Sequence, residues 1–200
     1  MARRRDLWTG AAPGANPFAL PRGPLGWVAG RVLARTNRTQ NAEVAGFLRA
    51  LGGTSVLEVG HGPGILVELL ARQYDTTVTG VDPSTEMVRM ARGRNAEAVR
   101  AGRVRLWRAS AEATGCDDAS MDLVVSVNTV AMWPFLDEGL AEFQRVLRPG
   151  GRAVVTWHRY PPRFALTSEE LDTVEAAMRK RFGAAERDRL PSSVVLSAAR

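Results

Sequence analysis

The segment Val56-Leu57-Glu58-Val59-Gly60-His61-Gly62-Pro63-Gly64, followed one helix later by Val78-Thr79-Gly80-Val81-Asp82, constrains the fold more than any other stretch of this chain. An apolar run ending in closely spaced glycines reads as a buried strand that turns abruptly into a helix. The second run reads as a neighbouring strand ending in a carboxylate. A glycine turn at that place lets a ligand approach the backbone, and an acid about twenty residues later can grip ribose hydroxyls. The pair predicts an open α/β sheet with a nucleotide-like ligand at its carboxyl edge.

The rest of the chain keeps the alternation going. Strands are predicted at Ser55 to Val59, Thr77 to Val81 and Val104 to Arg108, with helices over Ile65 to Arg72 and Ser84 to Val99. The continuous apolar run from Asp122 to Val127 suits a central parallel strand buried on both faces. Leu136, Leu140, Phe143 and Leu147 recur at helical spacing, Arg148-Pro149-Gly150-Gly151 stops that helix, and Arg152 to Trp157 forms a fifth strand. Thr167 and Glu170 have the spacing of a capping box for a helix bearing Leu171, Val174, Met178 and Phe182. Ala184 to Leu190 and Ser193 to Ala198 then read as a hairpin. The expected fold class is α/β: a Rossmann-like, doubly wound, seven-stranded sheet, mostly parallel, with an antiparallel C-terminal hairpin strand. Residues 1–52 read as a tail and helical cover, with helices over Leu25 to Thr36 and from Asn41, and residues 53–200 as one compact unit.

Two hundred residues with 45% hydrophobic content suit one domain. The single cysteine, Cys116, excludes an internal disulfide and a cysteine-based zinc cluster, which points to a reducing compartment and to the cytoplasm. Arg3, Arg4 and Arg5 precede no apolar stretch, and no run of roughly twenty apolar residues spans a membrane. A net charge of +6 attracts nucleic acid or anionic membrane in principle. The arginines are scattered, however, and Lys180 is the only lysine, so nucleic acid is a disfavoured partner.

Glu58 narrows the ligand. A carboxylate at the end of the first strand repels a pyrophosphate but suits S-adenosylmethionine, whose sulfonium and α-ammonium groups are cationic. The spacing agrees, because Leu66 stands where a dinucleotide fingerprint places its last small residue. On Glu58, Gly60, Gly62, Gly64 and Asp82, on Ala109-Ser110-Ala111-Glu112 with Asp118-Ala119-Ser120-Met121-Asp122, and on Arg148-Pro149-Gly150-Gly151, the chain resembles class I S-adenosylmethionine-dependent methyltransferases. Elements near Pro21 to Gly23, Gly26, Trp27, Thr36 and Asn37 resemble small bacterial members of the type-11, UbiE-like group.

The resemblance implies S-adenosylmethionine as cofactor, S-adenosylhomocysteine as product, no metal, and in-line methyl transfer to a small-molecule acceptor. It places Glu58, Gly60, His61, Gly62 and Gly64 at the cofactor's tail and Asp82 on the ribose, although Asp82 alone reads equally as a helix cap. Pro83 and Met87 wall the adenine, and Ser110 and Ala111 hold it, Ser110 standing where many members carry Asp. Asn128 and Thr129, in the loop after strand four, face cofactor and acceptor. Trp27, Trp133 and Tyr160 are candidate acceptor contacts, with core packing the competing role for Trp133. If a proton must be removed, His158 and His61 are the candidate bases. Cys116 lacks the Pro-Cys context of a nucleophile. RNA or protein methylation, and a non-methylating role for the bound cofactor, are the alternatives. Monomer and homodimer are both open.

Overall fold

The computed structural model describes residues 7–10, 37–72 and 75–200. Trp27, the expected helix over Leu25 to Thr36 and most of the expected cover lie outside them. Helices α1 (Arg38–Leu51), α2 (Ile65–Ala71), α3 (Thr85–Arg94), α4 (Ala96–Arg100), α5 (Leu136–Val146) and α6 (Ser168–Phe182) surround strands β1 (Ser55–Val59), β2 (Thr77–Asp82), β3 (Val104–Arg108), β4 (Met121–Val127), β5 (Leu147–His158), β6 (Glu186–Arg189) and β7 (Ser193–Ala199). The seven strands form one sheet in the order β3-β2-β1-β4-β5-β7-β6. The β1–β2, β1–β4, β2–β3 and β4–β5 pairs are parallel, whereas β7 runs antiparallel to both β5 and β6. The chain reverses direction across the sheet between β1 and β4, which is where open α/β sheets bind ligands.

Both faces of the sheet are covered. One apolar cluster joins Leu57, Val124, Leu140, Phe143 and Val155 to Val174 and Met178 of α6. The other joins Val56, Leu66, Val78 and Val125 to Val44, Ala45 and Leu48 of α1. Helix α1 is thus a core helix of the sheet rather than a cover over it. It begins at Arg38, three residues before the expected start.

Two boundaries differ for identifiable reasons. The helix expected over Ser84 to Val99 breaks at Asn95, whose amide donates to the carbonyls of Ala91 and Gly64. Residues 148–151 do not stand between a helix and a strand; they belong to β5, where pairing shifts from Met121↔Leu147 to Leu123↔Arg152. The tight turn there is tied to the C-terminus, since the Gly150 N–H donates to the Arg200 carbonyl. The Thr167–Glu170 capping box forms as the spacing predicts.

Asp122 locks the amino edge of the sheet. Its Oδ2 accepts from the N–H groups of Thr54 and Ser55, both at 2.9 Å, and its Oδ1 accepts from Arg148 Nη1 at 2.7 Å. Burial acts to raise its carboxyl, but these donors outweigh it and hold the group below its ordinary value. Asp122→Ala is expected to cost about 1–3 kcal/mol of stability by leaving them without an acceptor. A carboxyl depressed in the folded state stabilises above its ordinary value of 3.8 and loses that contribution as pH falls. Urea unfolding should therefore show the gap between wild type and variant closing below that pH.

Candidate active site

The carboxyl ends of β1, β2 and β4 converge on the glycine loop. Gly60 donates its N–H to the Val81 carbonyl at 2.8 Å, which starts the loop directly beside the end of β2. Its α-carbon faces Thr129, and a Cβ there would lie 2.5 Å from Thr129 Cγ2. Gly64 is pressed against α3, where a Cβ would meet Ala91 at 2.7 Å. Among the described residues, a Cβ on Gly62 would meet nothing beyond its chain neighbours within 4 Å. The loop is therefore packed at both ends and open in the middle.

Asp82 is 6% exposed and works from beneath. Its Oδ2 accepts the Gly62 N–H at 2.9 Å and its Oδ1 accepts the Ser84 N–H at 2.8 Å. It does not cap α3; Ser84 does, through its hydroxyl to the Met87 N–H. Each carboxylate oxygen keeps a further lone pair, so Asp82 retains acceptor capacity for a hydroxylated ligand while tying the loop to the β2–α3 turn. Pro83 is exposed, and Met87 is fully buried behind it.

Glu58 is 2% exposed on β1, opposite Gly80 of β2 and Val125 of β4. Among the described residues, Oε2 is buried with no hydrogen-bond partner. Burial first and Asp82 second push its carboxyl well above the ordinary range, against the opposing N–H of Val67. A buried carboxyl short of donors beside a second acid favours a cationic or donor-rich ligand. An open backbone at Gly62, an acid with spare lone pairs and a donor-starved carboxyl fit the sulfonium, ammonium and ribose of S-adenosylmethionine.

His61 lies inside this cluster. Its Nδ1 is 2.7 Å from the Gly62 carbonyl, and a carbonyl only accepts, so Nδ1 carries the hydrogen. Burial lowers its basicity more than Asp82 and the Gly62 carbonyl raise it, which keeps the ring neutral. The ring packs beside Gly80, where a Cβ would lie 3.0 Å from His61 Cδ2. The ring is thus held under the glycine loop by Nδ1, and among the described residues its buried Nε2 has no hydrogen-bond partner. Ser110 is partly buried and Ala111 almost wholly so, both just beyond β3.

The loop after β4 is tied down more fully than its sequence suggests. Thr129 Oγ1 donates to the Val59 carbonyl and accepts from Trp133 Nε1, both at 3.3 Å, which leaves Ser126 Oγ to donate to it at 2.5 Å. With one hydrogen and two lone pairs committed, its hydroxyl has nothing left for a ligand. Thr129 instead positions the loop against Gly60. Asn128 turns the chain in the left-handed region at φ 59°, which Asn tolerates. Its amide pairs reciprocally with Gln40, and its Oδ1 also accepts the His158 N–H at 2.8 Å.

Gln40 is the residue missed by sequence reasoning. It is 5% exposed and donates to Asn128 and to Ser193 Oγ, so its amide joins α1 to the loop after β4 and to β7, and Asn128 in turn holds the end of β5. The available signal was a polar residue on the same helical stripe as Val44 and Leu48.

Trp133 packs rather than lines. It is 6% exposed, lies 5.3 Å from the Phe143 ring and fills the space that a Cβ on Gly139 would enter. Tyr160 is 64% exposed at the end of β5, its ring under the Arg159 guanidinium. His158 is half-buried, its ring 5.3 Å from that of Trp157. Trp8 donates its Nε1–H to the Val130 carbonyl at 2.8 Å, and the Gly10 N–H reaches the Pro134 carbonyl, so the described piece of the N-terminal segment crosses the β4–α5 connection. Among the described residues no three His, Cys, Asp or Glu gather as a metal-binding group, and no helix is long and apolar enough to cross a membrane.

Comparison with known proteins gives the same picture. A family model described as a methyltransferase domain matches residues 56–151. The chain is 35% identical over 144 residues to an uncharacterized methyltransferase, YdaC, of Bacillus subtilis, covering 72% of this chain and 76% of that protein. It is 37% identical over 105 residues to the ubiquinone/menaquinone biosynthesis C-methyltransferase UbiE of Geobacter sulfurreducens, covering 52% of this chain and 41% of the relative. The crystal structure of an S-adenosylmethionine-dependent methyltransferase from Aquifex aeolicus superposes with a TM-score of 0.69 at 18% identity, covering 86% of this chain and 97% of that one.

Proposed function

The chain belongs to the class I S-adenosylmethionine-dependent methyltransferases, and from that premise we propose that its acceptor is seated at the carboxyl ends of β4 and β5. The observation that carries the donor site is the cluster of Glu58, Gly62 and Asp82: an orphaned buried carboxyl, an open backbone and an acid with spare lone pairs. When bound, S-adenosylmethionine supplies a methyl carbon already activated by its sulfonium. Glu58 provides the negative charge that a cationic tail requires, and Asp82 accepts from ribose hydroxyls. Ser110, Ala111, Pro83 and Met87 surround the adenine. His61 and Thr129 set the height of the glycine loop instead of touching the reacting atoms.

In-line displacement at an activated carbon depends mainly on alignment and exclusion of water. The Gln40–Asn128–His158 network fixes the end of β5 relative to the glycine loop, which is an alignment role. His158, at the carboxyl end of β5, is the group we assign to removing a proton from a hydroxyl or amine acceptor. The single cysteine supports assignment to the cytoplasm.

Calorimetric titration of the protein with S-adenosylmethionine and with S-adenosylhomocysteine is expected to show one site per chain for each. Absence of binding to both would remove the donor assignment.

A further inference from the structure

A second site lies on the same edge of the sheet, two strands away from β1. A cleft of about 180 Å³ is walled by Trp157, Leu166, Leu171 and Val194 and is also lined by His158 and Arg159. Resting on the methyltransferase assignment above, we propose that this cleft takes the acceptor, and that the acceptor is a single aromatic ring bearing a carboxylate, held by Arg159 with its methyl-accepting substituent near His158.

Size, shape and charge each carry part of this. A cavity of about 150 Å³ is known to hold benzene, so the cleft has room for one ring with a small substituent. Its walls are rigid, because Trp157 donates its Nε1–H to the Phe164 carbonyl at 2.9 Å. Trp157 gives the cleft an aromatic wall, and an aromatic guest can pack against such a wall in an offset or edge-to-face manner.

Arg159 supplies the charge. Among the described residues its Nη1 reaches the carbonyls of Leu190 and Pro191, at 3.3 and 3.4 Å, and its guanidinium lies 5.6 Å from the Tyr160 ring centroid. Among the described residues no carboxylate pairs with it, as several other arginines also lack one, whereas Arg148, Arg152 and Arg179 each pair with one and Arg145 and Arg187 with two. The neighbouring Glu43 is committed to the N–H and hydroxyl of Ser192. A guanidinium braced by carbonyls keeps donors for a carboxylate.

The cleft also has a short connection to the donor site. The His158 N–H is held by Asn128, and Thr129, the next residue, rests on Gly60.

The test is calorimetry on protein saturated with S-adenosylhomocysteine, using benzoate, benzyl alcohol (ring without charge) and acetate (charge without ring). Benzoate is expected to bind about tenfold or more tightly than either. Arg159→Met should bring benzoate down to the level of benzyl alcohol without changing benzyl alcohol itself. Arg159→Lys should recover part of the difference, and Ala165→Leu, which narrows the cleft, should weaken both ring probes. Benzoate binding no tighter than benzyl alcohol, or undiminished in Arg159→Met, overturns the proposal. Saturation with S-adenosylhomocysteine is read in its own titration. Its failure therefore counts against the donor assignment, and the same probes then decide the acceptor cleft on unloaded protein.

Discussion

Glu58→Gln is expected to weaken binding of S-adenosylmethionine by about 10–100-fold, the roughly 1.5–3 kcal/mol of a charged hydrogen bond, while making the ligand-free protein more stable. Both effects have one cause. The wild-type carboxyl is buried, lies beside Asp82, and has one oxygen without a partner among the described residues, so ionising it in the empty site is unfavourable. A cation at the site reverses that preference, and glutamine, of the same shape, has no charge to offer it. The sign of the pH dependence follows. An acid whose folded-state value is raised keeps a proton that the unfolded chain has lost, so stability is complete below its ordinary value of 4.5 and declines as pH rises toward the folded-state value. Removing that decline should give the variant a melting temperature above wild type, by roughly 2–4 °C for each kcal/mol in a chain of this size. The difference should widen as pH rises above 4.5. Thermal melts across this range, with and without S-adenosylhomocysteine, separate the two effects. An affinity equal to wild type would place Glu58 outside the cofactor site.

The positions of Glu58, Asp82 and the glycines at strand ends were legible because local sequence sets the junction of a strand with its own loop. The strands were legible for the same reason: a period of two, or a continuous apolar run, is a property of a few adjacent residues. Gln40 was not, because what gives it meaning lies far off, Asn128 at 88 residues and Ser193 at 153. The break between α3 and α4 has a similar origin, since Asn95 leaves the helical pattern partly to satisfy the Gly64 carbonyl, 31 residues earlier. Trp133 and Thr129 were placed after β4 by their sequence, but the packing of Trp133 against Phe143 and the hydrogen bonds of the Thr129 hydroxyl to Ser126, Val59 and Trp133 are not visible without the third dimension. Of the cleft proposed for the acceptor only His158 was singled out from the sequence, because Trp157, Leu171 and Val194 come from three elements joined only by folding.

The glycine loop permits a second large effect that splits stability from binding within three residues. Gly64→Ala is expected to cost about 3–5 kcal/mol, combining the penalty for a left-handed side chain with overpacking. The new methyl would sit 2.7 Å from Ala91 Cβ and 2.9 Å from Ala91 Cα, and the second of these is backbone that cannot rotate aside. That loss is a large fraction of a domain's total stability, so the variant should unfold at much lower denaturant whether or not cofactor is present. Gly62→Ala should behave oppositely. Its φ of +52° still carries a penalty of about 1 kcal/mol, but among the described residues nothing beyond its chain neighbours lies within 4 Å of the added carbon. The methyl instead occupies the open face that the ligand needs, and it crowds the backbone whose N–H is held by Asp82. Near-normal unfolding with cofactor affinity reduced more than about tenfold is the expected result, from loss of close backbone approach. Chemical denaturation and S-adenosylhomocysteine titration of the two variants side by side test this directly. If Gly62→Ala binds as wild type does, the open middle of the loop is not where the ligand meets the backbone, and the site must be sought along β4.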